Sequence, residues 1–435
     1  MIEKPQDQKA KRSKGNSIFV LVTVTLLYVI NYMDRTVLSV TLPLIKADLS
    51  LSDAQLGWLG TIYFIAVACL TIPASLVIDR WSRKKSLALM ALLWSVATFL
   101  TGTGKSFLSL LSARGLVGIG EAGFAPGGLT YISGSFGEKS WAKVNGIFVM
   151  GGPIGLILGA VLGGYIAKAN ILGLGWRAPY FFFAFPGILL GILILFTKDY
   201  TTGIPKEYST DRGIVEDMSV IMKLRTFWYL SLGFAVSSFA ITAILQFLPL
   251  YFMRTRGWDV TKSSSMFGLM FAFAAIGAIF AGIFSDKWKE KRVNGRPLTA
   301  ATLTLIGFVC ITSGMVAEIK GYFFIGYIGF VVLAVVGAAV ISPLSASIMD
   351  LVPLRLRSLS VSMIIFIGYM LGSLGPTAIG WVSDMMGTPG NPDMMAAFRT
   401  IPVFYFIAAL LYFIGARTFV SEFKICTSQG EGNGY

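Results

Sequence analysis

Two short basic stretches of the chain repeat each other: IDRWSRKK at residues 78–85 and SDKWKEKR at residues 285–292, 207 positions later. Each has an aspartate, a basic residue and a tryptophan in a row, followed by more basic residues, and each follows a long apolar run. A unit of about 200 residues therefore occurs twice. This period excludes an array of stacked repeats, whose periods are about 20–50 residues.

A second repeat consists of glycine-rich segments, MGGPIGLILGAVLGGYI at residues 150–166 and IGYMLGSLGPTAIGW at residues 367–381. Small residues at four-residue spacing form a smooth stripe on which another helix can pack closely. Two compatible interpretations remain: tight static packing, or surfaces that slide when the two halves of the chain move. The pairs Gly152-Pro153 and Gly375-Pro376 favour sliding, because proline locally breaks a helix and lets it bend.

The composition is that of a membrane protein: 435 residues, 55% hydrophobic, 13% charged, with mean hydropathy +0.73. A soluble protein carries roughly twice this charged fraction. Apolar windows of about 18 residues or more recur, each long enough to cross a bilayer as a helix, whereas the alternating segments of a β-barrel are absent. We predict an all-α membrane protein with twelve transmembrane helices in two pseudo-symmetric six-helix bundles. The predicted spans are residues 18–45, 54–78, 86–104, 107–134, 142–168, 177–197, 227–252, 261–284, 298–317, 322–348, 358–383 and 396–418.

Charge bias predicts the orientation. The loops on the side of both termini, with the adjoining span ends, hold 25 Lys and Arg residues, and those on the opposite side hold 9, so the positive-inside rule places both termini in the cytoplasm. The predicted organisation is a basic cytoplasmic tail (1–17), an N-terminal bundle (18–197), a cytoplasmic linker (198–226), a C-terminal bundle (227–418) and a second cytoplasmic tail (419–435). Two six-helix halves with a site between them is the layout of a rocking transporter.

Several functions are excluded by residue content. The chain has no histidine and three cysteines, so the commonest catalytic base and metal ligand are missing and no disulfide framework is expected. We expect no enzyme, no cofactor and no metal. The net charge of +14 follows from topology, so no nucleic-acid partner is expected. The first apolar run is too long for a signal peptide and shows no cleavage pattern.

Four charged residues lie deep inside predicted spans, away from the span ends. The stretch YVINYMDRTVLS, residues 28–39, places Asp34 and Arg35 in the apolar run of span one, and span four contains Arg114 and Glu121. Asp34 lies about 24 Å along its span at about 1.5 Å per residue. Neighbours on a helix point about 100° apart and residues two turns apart are about 10 Å apart, so neither pair bonds directly within its helix.

Each charge therefore needs a partner on another helix or in a wet cavity. The economical arrangement pairs spans one and four, with Asp34 against Arg114 or Arg35 against Glu121. Two interpretations follow. The charges form a fixed network, or they form a switch in which protonation of a carboxylate frees an arginine for an anionic group. Ionisable residues at membrane depth are usually functional and buried pairs add little net stability, which favours the switch.

The second half offers a contrast. Its spans seven, eight, ten and eleven have no charge near their centres, and Gln246 and Tyr369 are among their few polar residues. A cavity with one charged wall and one mostly apolar wall suits an amphiphile better than a sugar acid, which is polar all round. The candidate substrate-binding residues are Asn31, Arg35, Arg114, Gln246 and Tyr369.

Specific motifs resemble known families. SLVIDRWSRKK (75–85) resembles the loop signature of the major facilitator superfamily, with Ser75 and Ser82 where that signature usually has glycine. NYMDR in span one and SARGLVGIGEAGFAP (112–126) in span four are similar to the spinster family of lipid transporters and its bacterial relatives. Organic-anion and sugar-acid symporters also carry an Asp-Arg pair in span one.

The resemblance implies residue roles. Asp34 and Glu121 fall at the family's protonation positions, with Arg35 and Arg114 as the adjoining basic residues. Asp79 falls at the position that latches the closed cytoplasmic gate, and Arg80 and Arg83 fall at its basic positions. The repeat places Asp286 at the equivalent position in the second half. The gating candidates are Asp79, Arg80, Arg83, Asp286, Gly152 and Pro153.

We therefore expect a proton-coupled secondary active transporter that works by alternating access in the bacterial inner membrane. Its expected partners are protons, membrane lipid and an amphiphilic, lipid-like substrate such as a lysophospholipid, and we expect a monomer. Two alternatives remain: a proton-coupled organic-anion or sugar-acid symporter, and a drug efflux antiporter. A channel is disfavoured by the two-fold repeat with its glycine faces.

Overall fold

The structure, a computed structural model, describes residues 14–137, 140–198, 214–353, 356–388 and 390–432. Its helices are joined by short loops and 3₁₀ turns. In chain order they are α1 (Lys14–Leu49), α2 (Asp53–Arg80), α3 (Arg83–Thr103), α4 (Phe107–Glu121), α5 (Phe124–Ser135), α6 (Trp141–Ala169), α7 (Ala178–Leu193), α8 (Ile214–Met222), α9 (Arg225–Arg256), α10 (Val260–Lys291), α11 (Gly295–Ile319), α12 (Phe323–Ala339), α13 (Ile341–Leu351), α14 (Arg357–Gly372), α15 (Gly375–Met386), α16 (Met394–Phe398) and α17 (Ile401–Gly432).

The predicted all-α fold with twelve spans is confirmed. Twelve helical segments are long and apolar enough to cross a membrane, and across the described ranges there is no β-strand, only an isolated bridge between Thr388 and Asn391. Several spans extend beyond their predicted ends. The first helix has 36 residues, Lys14–Leu49, and is about 54 Å long at about 1.5 Å per residue.

Four of the spans are built from two helices each: spans four, ten, eleven and twelve, the last consisting of α16 and α17. Span four is interrupted between α4 and α5, where Gly123 has a φ of +84° that L-residues rarely adopt. Span ten is interrupted at Val340, and span eleven restarts at Gly375-Pro376, where proline occupies the first turn of α15. Span five differs, because α6 continues through Gly152-Pro153 without interruption. The two Gly-Pro pairs therefore have different local effects.

Internal packing divides the chain into two compact units, residues 1–37 with 69–204 and residues 38–68 with 205–435. In the first unit, α3 packs against α4 and α7. The glycine stripe of α6 lies against α1, where Gly151, Gly155 and Gly159 meet the segment from Thr25 to Met33. The stripe thus serves close packing inside this unit, as in the first of the two interpretations.

In the second unit, α9 packs against both α14 and α17, and α12 packs against α10 and α11. The glycines of span eleven meet span seven: Gly368 lies against Phe234, and Gly372 lies against Ser238. Span five packs on span one in the same way that span eleven packs on span seven. This correspondence is the structural counterpart of the sequence repeat.

Most of the predicted linker, 198–226, lies outside the described residues. Its end forms the short helix α8, after which α9 begins at Arg225. The carboxylate of Glu422 on α17 accepts hydrogen bonds from the backbone N–H groups of Arg225 (2.7 Å) and Thr226 (3.2 Å). These N–H groups have no partner within their own helix, so Glu422 caps the start of span seven.

Candidate functional site

A cluster of charged side chains lies inside the first unit. The side chain of Asp34 is fully buried, and its Oδ2 accepts a hydrogen bond of 2.9 Å from the hydroxyl of Thr98 on α3. Glu121 and Arg114 are both close enough to act on Asp34 electrostatically. The four charged residues singled out in spans one and four are therefore neighbours in space.

Arg35 and Glu121 form an ion pair between α1 and α4. The Nε of Arg35 donates to Oε2 of Glu121 over 3.0 Å; the Arg35 side chain is 27% exposed and the Glu121 side chain is fully buried. The guanidinium also lies 4.3 Å from the ring centre of Tyr32, within the range of a cation–π interaction. Of the two cross-pairings considered from sequence, the structure contains Arg35 with Glu121, whereas Asp34 bonds to Thr98.

Close backbone packing holds this cluster in position. Glu121 is the last residue of α4, and a Cβ on the preceding Gly120 would lie 2.6 Å from the backbone nitrogen of Trp94 on α3. A Cβ on Gly123 would lie 2.9 Å from the Cβ of Ala74 on α2. Since real Cβ atoms do not approach so closely, glycine is required at these points. The break in span four therefore begins directly after the buried carboxylate.

Two further buried polar side chains border the cluster. Arg114 is 1% exposed, and Asn31 is 1% exposed on the same face of α1 as Asp34. Both polar atoms of the Asn31 amide, and Oδ1 of Asp34, lack a hydrogen-bond partner among the residues described. Buried polar groups are normally hydrogen-bonded, so these atoms can bind a ligand group, water or a proton.

The arrangement permits exchange of partners. A proton on Glu121 removes the charge that holds Arg35, and Arg35 is the exposed member of the pair. The released guanidinium then has donors for a carboxylate or phosphate. Asp34, one residue away in sequence but on another face of α1, is a second position at which a proton changes the charge balance of the cluster.

Gln246 and Tyr369, the other two candidate binding residues, belong to the second unit. The Gln246 amide donates to the carbonyl of Leu56 over 3.2 Å. The ring of Tyr369 is stacked on Phe64 with 6.4 Å between ring centres and meets Phe234 edge-on at 5.8 Å. Tyr369 is 36% exposed, so part of its surface can contact a ligand.

Most of the gating candidates lie at helix ends. Asp79 and Arg80 are in the last turn of α2, and Arg83 begins α3. The side chains of Asp79 and Arg80 are not among those that the structure describes. Asp286 near the end of α10 is part of an ion-pair network: it accepts from Arg296 at 2.9 Å, and Arg296 also pairs with Asp350 at 2.8 Å.

The repeated basic loop of the second half is therefore tied to α11 and α13 through this network. Gly152 and Pro153 lie inside α6, where a Cβ on Gly152 would stand 3.4 Å from the ring of Tyr32.

The structure also contains two charge clusters that the sequence did not identify. Asp53, fully buried at the start of α2, binds Lys46 and Arg254. Arg256 at the end of α9 pairs with buried Glu318 and lies over the rings of Phe252, Trp258 and Phe323. These residues stand beside loops, where charged side chains are ordinarily solvated, so their positions in sequence gave no signal.

Residues with metal-ligand chemistry do not cluster. Across the described ranges, no group of three or more His, Cys, Asp or Glu side chains could hold a metal ion. The cluster in the first unit consists of carboxylates, arginines, an amide and a hydroxyl.

Comparisons with known proteins place the chain among transporters. The family model described as Major Facilitator Superfamily matches residues 24–376. An MFS-type efflux pump of Mycolicibacterium smegmatis is 26% identical over 87% of this chain and 87% of its own length. Protein spinster homolog 1 of Xenopus laevis is 25% identical over 94% of this chain and 81% of its own length.

Two further comparisons extend over nearly the whole chain. The hexuronate transporter of Bacillus subtilis is 24% identical over 90% of this chain and 95% of its own length. Among solved structures, a bacterial homologue of the human lysosomal transporter spinster, in an inward-facing and unoccupied conformation, is similar with a TM-score of 0.81. That protein is 26% identical and covers 94% of this chain and 99% of its own. The resemblance to the spinster family noted from spans one and four is confirmed.

Proposed function

Because this chain belongs to the Major Facilitator Superfamily of membrane transporters, we propose that it is a proton-coupled secondary active transporter working by alternating access. Its proposed substrate is an amphiphile with an anionic head group, such as a lysophospholipid. The observation that carries the proposal is the ion pair between partly exposed Arg35 and buried Glu121, with Asp34 beside it.

The proton coupling is supported by the position of the cluster. Ionisable side chains inside a transmembrane helix are costly and usually serve transport. Asp34 and Glu121 are two carboxylates in electrostatic contact, and like charges so close do not both ionise freely. Taking up a proton relieves this repulsion, and it also frees Arg35 to bind an anion.

The amphiphilic substrate is supported by two observations. The charged candidate binding residues, Arg35 and Arg114, lie in the first unit, whereas the candidates of the second unit, Gln246 and Tyr369, are uncharged. Tyr369 stands among the aromatic rings of Phe64 and Phe234, which suit an acyl chain. The similarity to protein spinster homolog 1 agrees with a spinster-like substrate class.

A sugar-acid or other organic-anion symporter is the second candidate. The similarity to the hexuronate transporter of B. subtilis supports this function. The buried Asn31 amide, which has no hydrogen-bond partner within the described ranges, also supports it, since a sugar offers hydroxyl groups to such an amide. In this function Arg35 and Arg114 would hold a carboxylate. Drug efflux remains a third candidate, supported by the similarity to the mycobacterial efflux pump.

The test is a ligand-binding measurement on protein in nanodiscs. Thermal stability is measured with lysophospholipids, sphingoid bases, and sugar or aromatic acids, for the parent protein and for Arg35→Ala. A matched control is Arg417→Ala, because Arg417 is exposed midway along α17 and far along the chain from the cluster. Stabilisation by single-chain lipids that is lost in Arg35→Ala and retained in Arg417→Ala supports the lipid function. Stabilisation by small carboxylates alone contradicts the lipid function and supports the organic-anion symporter.

A further inference from the structure

The buried carboxylate of Asp53 occupies a site whose donors match those of an anion-binding site. The guanidinium of Arg254 binds it with both terminal nitrogens, Nη1 to Oδ2 at 2.6 Å and Nη2 to Oδ1 at 2.8 Å. The ammonium of Lys46 adds a contact of 2.5 Å, and the hydroxyl of Ser383 donates over 2.7 Å. A two-pronged arginine with further donors is the usual way in which proteins recognise carboxylates and phosphates.

The three donors and Asp53 lie on four different helices, at positions that all belong to the second unit. Lys46 is in the last turn of α1, Asp53 begins α2, Arg254 lies near the end of α9, and Ser383 lies on α15. All four positions are on the side opposite the termini, which the charge bias predicts to be extracytoplasmic. Lys46 and Asp53 are joined by a short loop and would move together, whereas Arg254 and Ser383 belong to the second sequence repeat.

The neighbouring carboxylate, Asp384, has a separate task. Its Oδ1 and Oδ2 accept hydrogen bonds from the backbone N–H groups of Asp53 (3.0 Å) and Ala54 (2.8 Å). It therefore caps the N-terminus of α2, where anions are favoured by the helix dipole. Since Asp384 is occupied in this way, Asp53 is the carboxylate that neutralises the two cations, Lys46 and Arg254.

Close packing seals the contact between α2 and α15. A Cβ on Gly57 would lie 2.6 Å from the Cα of Thr377, and Gly380 lies directly against the backbone of Asp53. Deeper along the helix, the Thr61 hydroxyl donates to the carbonyl of Ser373 over 2.6 Å and accepts from Thr377 over 2.9 Å. Thr61 is fully buried, so this interface is closed in the conformation described.

A cavity of about 710 Å³ opens next to the same two cations. Lys46 and Arg254 are part of its wall, together with Met253, Met386, Met394 and Met395. Methionine side chains adapt to apolar ligands of varied shape. The cavity therefore combines the two cations and these methionines with polar side chains that include Thr388, Asn391 and Asp393. Its volume is in the range of small-molecule sites.

We propose that Arg254 and Ser383 form a second binding site for the anionic group of the substrate, and that Asp53 occupies this site as an internal substitute while the interface is closed. Opening separates Asp53, still paired with Lys46, from Arg254. The substrate's carboxylate or phosphate then takes the place that Asp53 leaves. This proposal rests on the anionic substrate class proposed above and extends it to the predicted extracytoplasmic face.

The test uses a thiol reporter in the full-length protein. Cys69, Cys310 and Cys426 are replaced by serine, and Thr61→Cys is introduced, because cysteine is no larger than threonine and position 61 is buried in the closed interface. Labelling by a membrane-impermeant thiol reagent from the predicted extracytoplasmic side is compared between this parent and Asp53→Asn. Lys262→Gln is the matched control, since Lys262 is a cation on the same side that packs over Trp258.

The proposal predicts that Asp53→Asn labels at least about ten-fold faster than the parent, because loss of one member of a buried ion pair shifts a two-state equilibrium by at least that factor. Lys262→Gln labels at the parental rate. Ser383→Ala removes a single hydrogen bond and gives a smaller increase in the labelling rate. It replaces Asp53→Asn in the experiment if Asp53→Asn is not monodisperse. If Asp53→Asn and Ser383→Ala are both labelled at the rate of the parent, the proposal is overturned.

Anion binding is tested in the same samples by thermal stability in nanodiscs. The probes are lysophosphatidylglycerol and glucuronate, with a monoacylglycerol and glucose as their uncharged counterparts. In Asp53→Asn, we expect one anionic probe to stabilise the protein more than its uncharged counterpart does. Which probe does so shows whether the anionic group belongs to a lipid or to a sugar acid. Adding Arg254→Gln abolishes the difference. A difference that persists without Arg254, or no difference with either probe, overturns the site.

These readouts are independent of proton coupling and of the Arg35 cluster. If Arg35→Ala leaves ligand binding intact while Arg254→Gln abolishes it, the proposed role of the first cluster fails and the second site stands. If Arg35→Ala abolishes binding and Arg254→Gln does not alter it, the second site fails and the proposed role of the first cluster stands.

Discussion

Gly159 on α6 packs directly against Met33 on α1: a Cβ at position 159 would lie 2.6 Å from the Cα of Met33. Met33 immediately precedes Asp34, so this contact fixes the backbone that carries the buried carboxylate. Because protein interiors are close-packed and transmit strain, a larger side chain in the glycine stripe of α6 should displace the residues of the charge cluster.

We predict that Gly159→Ala destabilises the protein by about 1–3 kcal/mol, the usual cost of overpacking a filled interior. Gly146→Ala is the matched control on the same helix, because a Cβ at position 146 meets nothing within 4 Å. There alanine should be neutral or stabilising by about 0.5–1 kcal/mol, since glycine disfavours helix. Thermal unfolding of the detergent-purified variants distinguishes the two, and equal melting temperatures would contradict the packing described for α6.

We predict that Glu121→Gln and Asp34→Asn each abolish the pH dependence of transport while the protein stays folded and monodisperse. The amide keeps the shape of the carboxyl group but can no longer take up or release the proton. Flux into proteoliposomes is measured from about pH 5 to about pH 8, the range in which a coupled carrier changes its protonation state.

Glu290→Gln is the control for this experiment, because Glu290 is an exposed carboxylate in the last turn of α10. Its pH profile should match that of the parent. If both cluster variants also transport with the parental profile, neither carboxylate couples transport to protons.

We predict that Asp350→Asn destabilises the second unit more than Asp286→Asn does. Asp350 binds Arg296 through both carboxylate oxygens at 2.8 Å and also accepts from Lys289, and its side chain is 13% exposed. The Asp286 side chain is 66% exposed, and exposed pairs contribute about 0–1 kcal/mol. We expect about 1–3 kcal/mol at Asp350, and a melting temperature that falls further for Asp286→Asn would refute this ranking.

We predict that Glu422→Ala destabilises the protein by about 1–2 kcal/mol. The variant leaves the first N–H groups of α9 without their carboxylate partner, and removal of a helix cap usually costs this much. Ser421→Ala is the neighbouring control, because the Ser421 hydroxyl bonds only to the carbonyl of Thr418 among the described contacts. Equal stability of the two variants, measured by thermal unfolding, would show that water replaces the cap.

Much of the fold could be predicted from the sequence, for physical reasons. A membrane span needs a long apolar run because every backbone polar group must be satisfied within the helix, and such runs are visible directly. The charged residues of spans one and four are equally visible in the sequence, because few charged residues interrupt these apolar runs. Helical spacing excluded pairing within each span, which left the contact between Arg35 and Glu121 as one of two possibilities.

The network around Asp53 could not be predicted in this way. Asp53 stands next to a loop, where a carboxylate is normally solvated, and its partner Arg254 is 201 positions away. Ser383 and Asp384 lie still further along the chain and resemble ordinary residues at a helix end. Only the close approach of α2 and α15 buries these groups, and that approach depends on tertiary packing rather than on any local pattern.

The division of the chain into compact units has a consequence for experiments on fragments. Residues 38–68 pack with the second unit although they precede most of the first, so a cut in the linker at 199–213 does not separate two complete folding units. The N-terminal fragment would carry a helical hairpin whose partners lie on the other fragment. Co-expression of the two fragments should therefore restore a complementing protein, whereas the N-terminal fragment produced alone should be captured by chaperones or degraded.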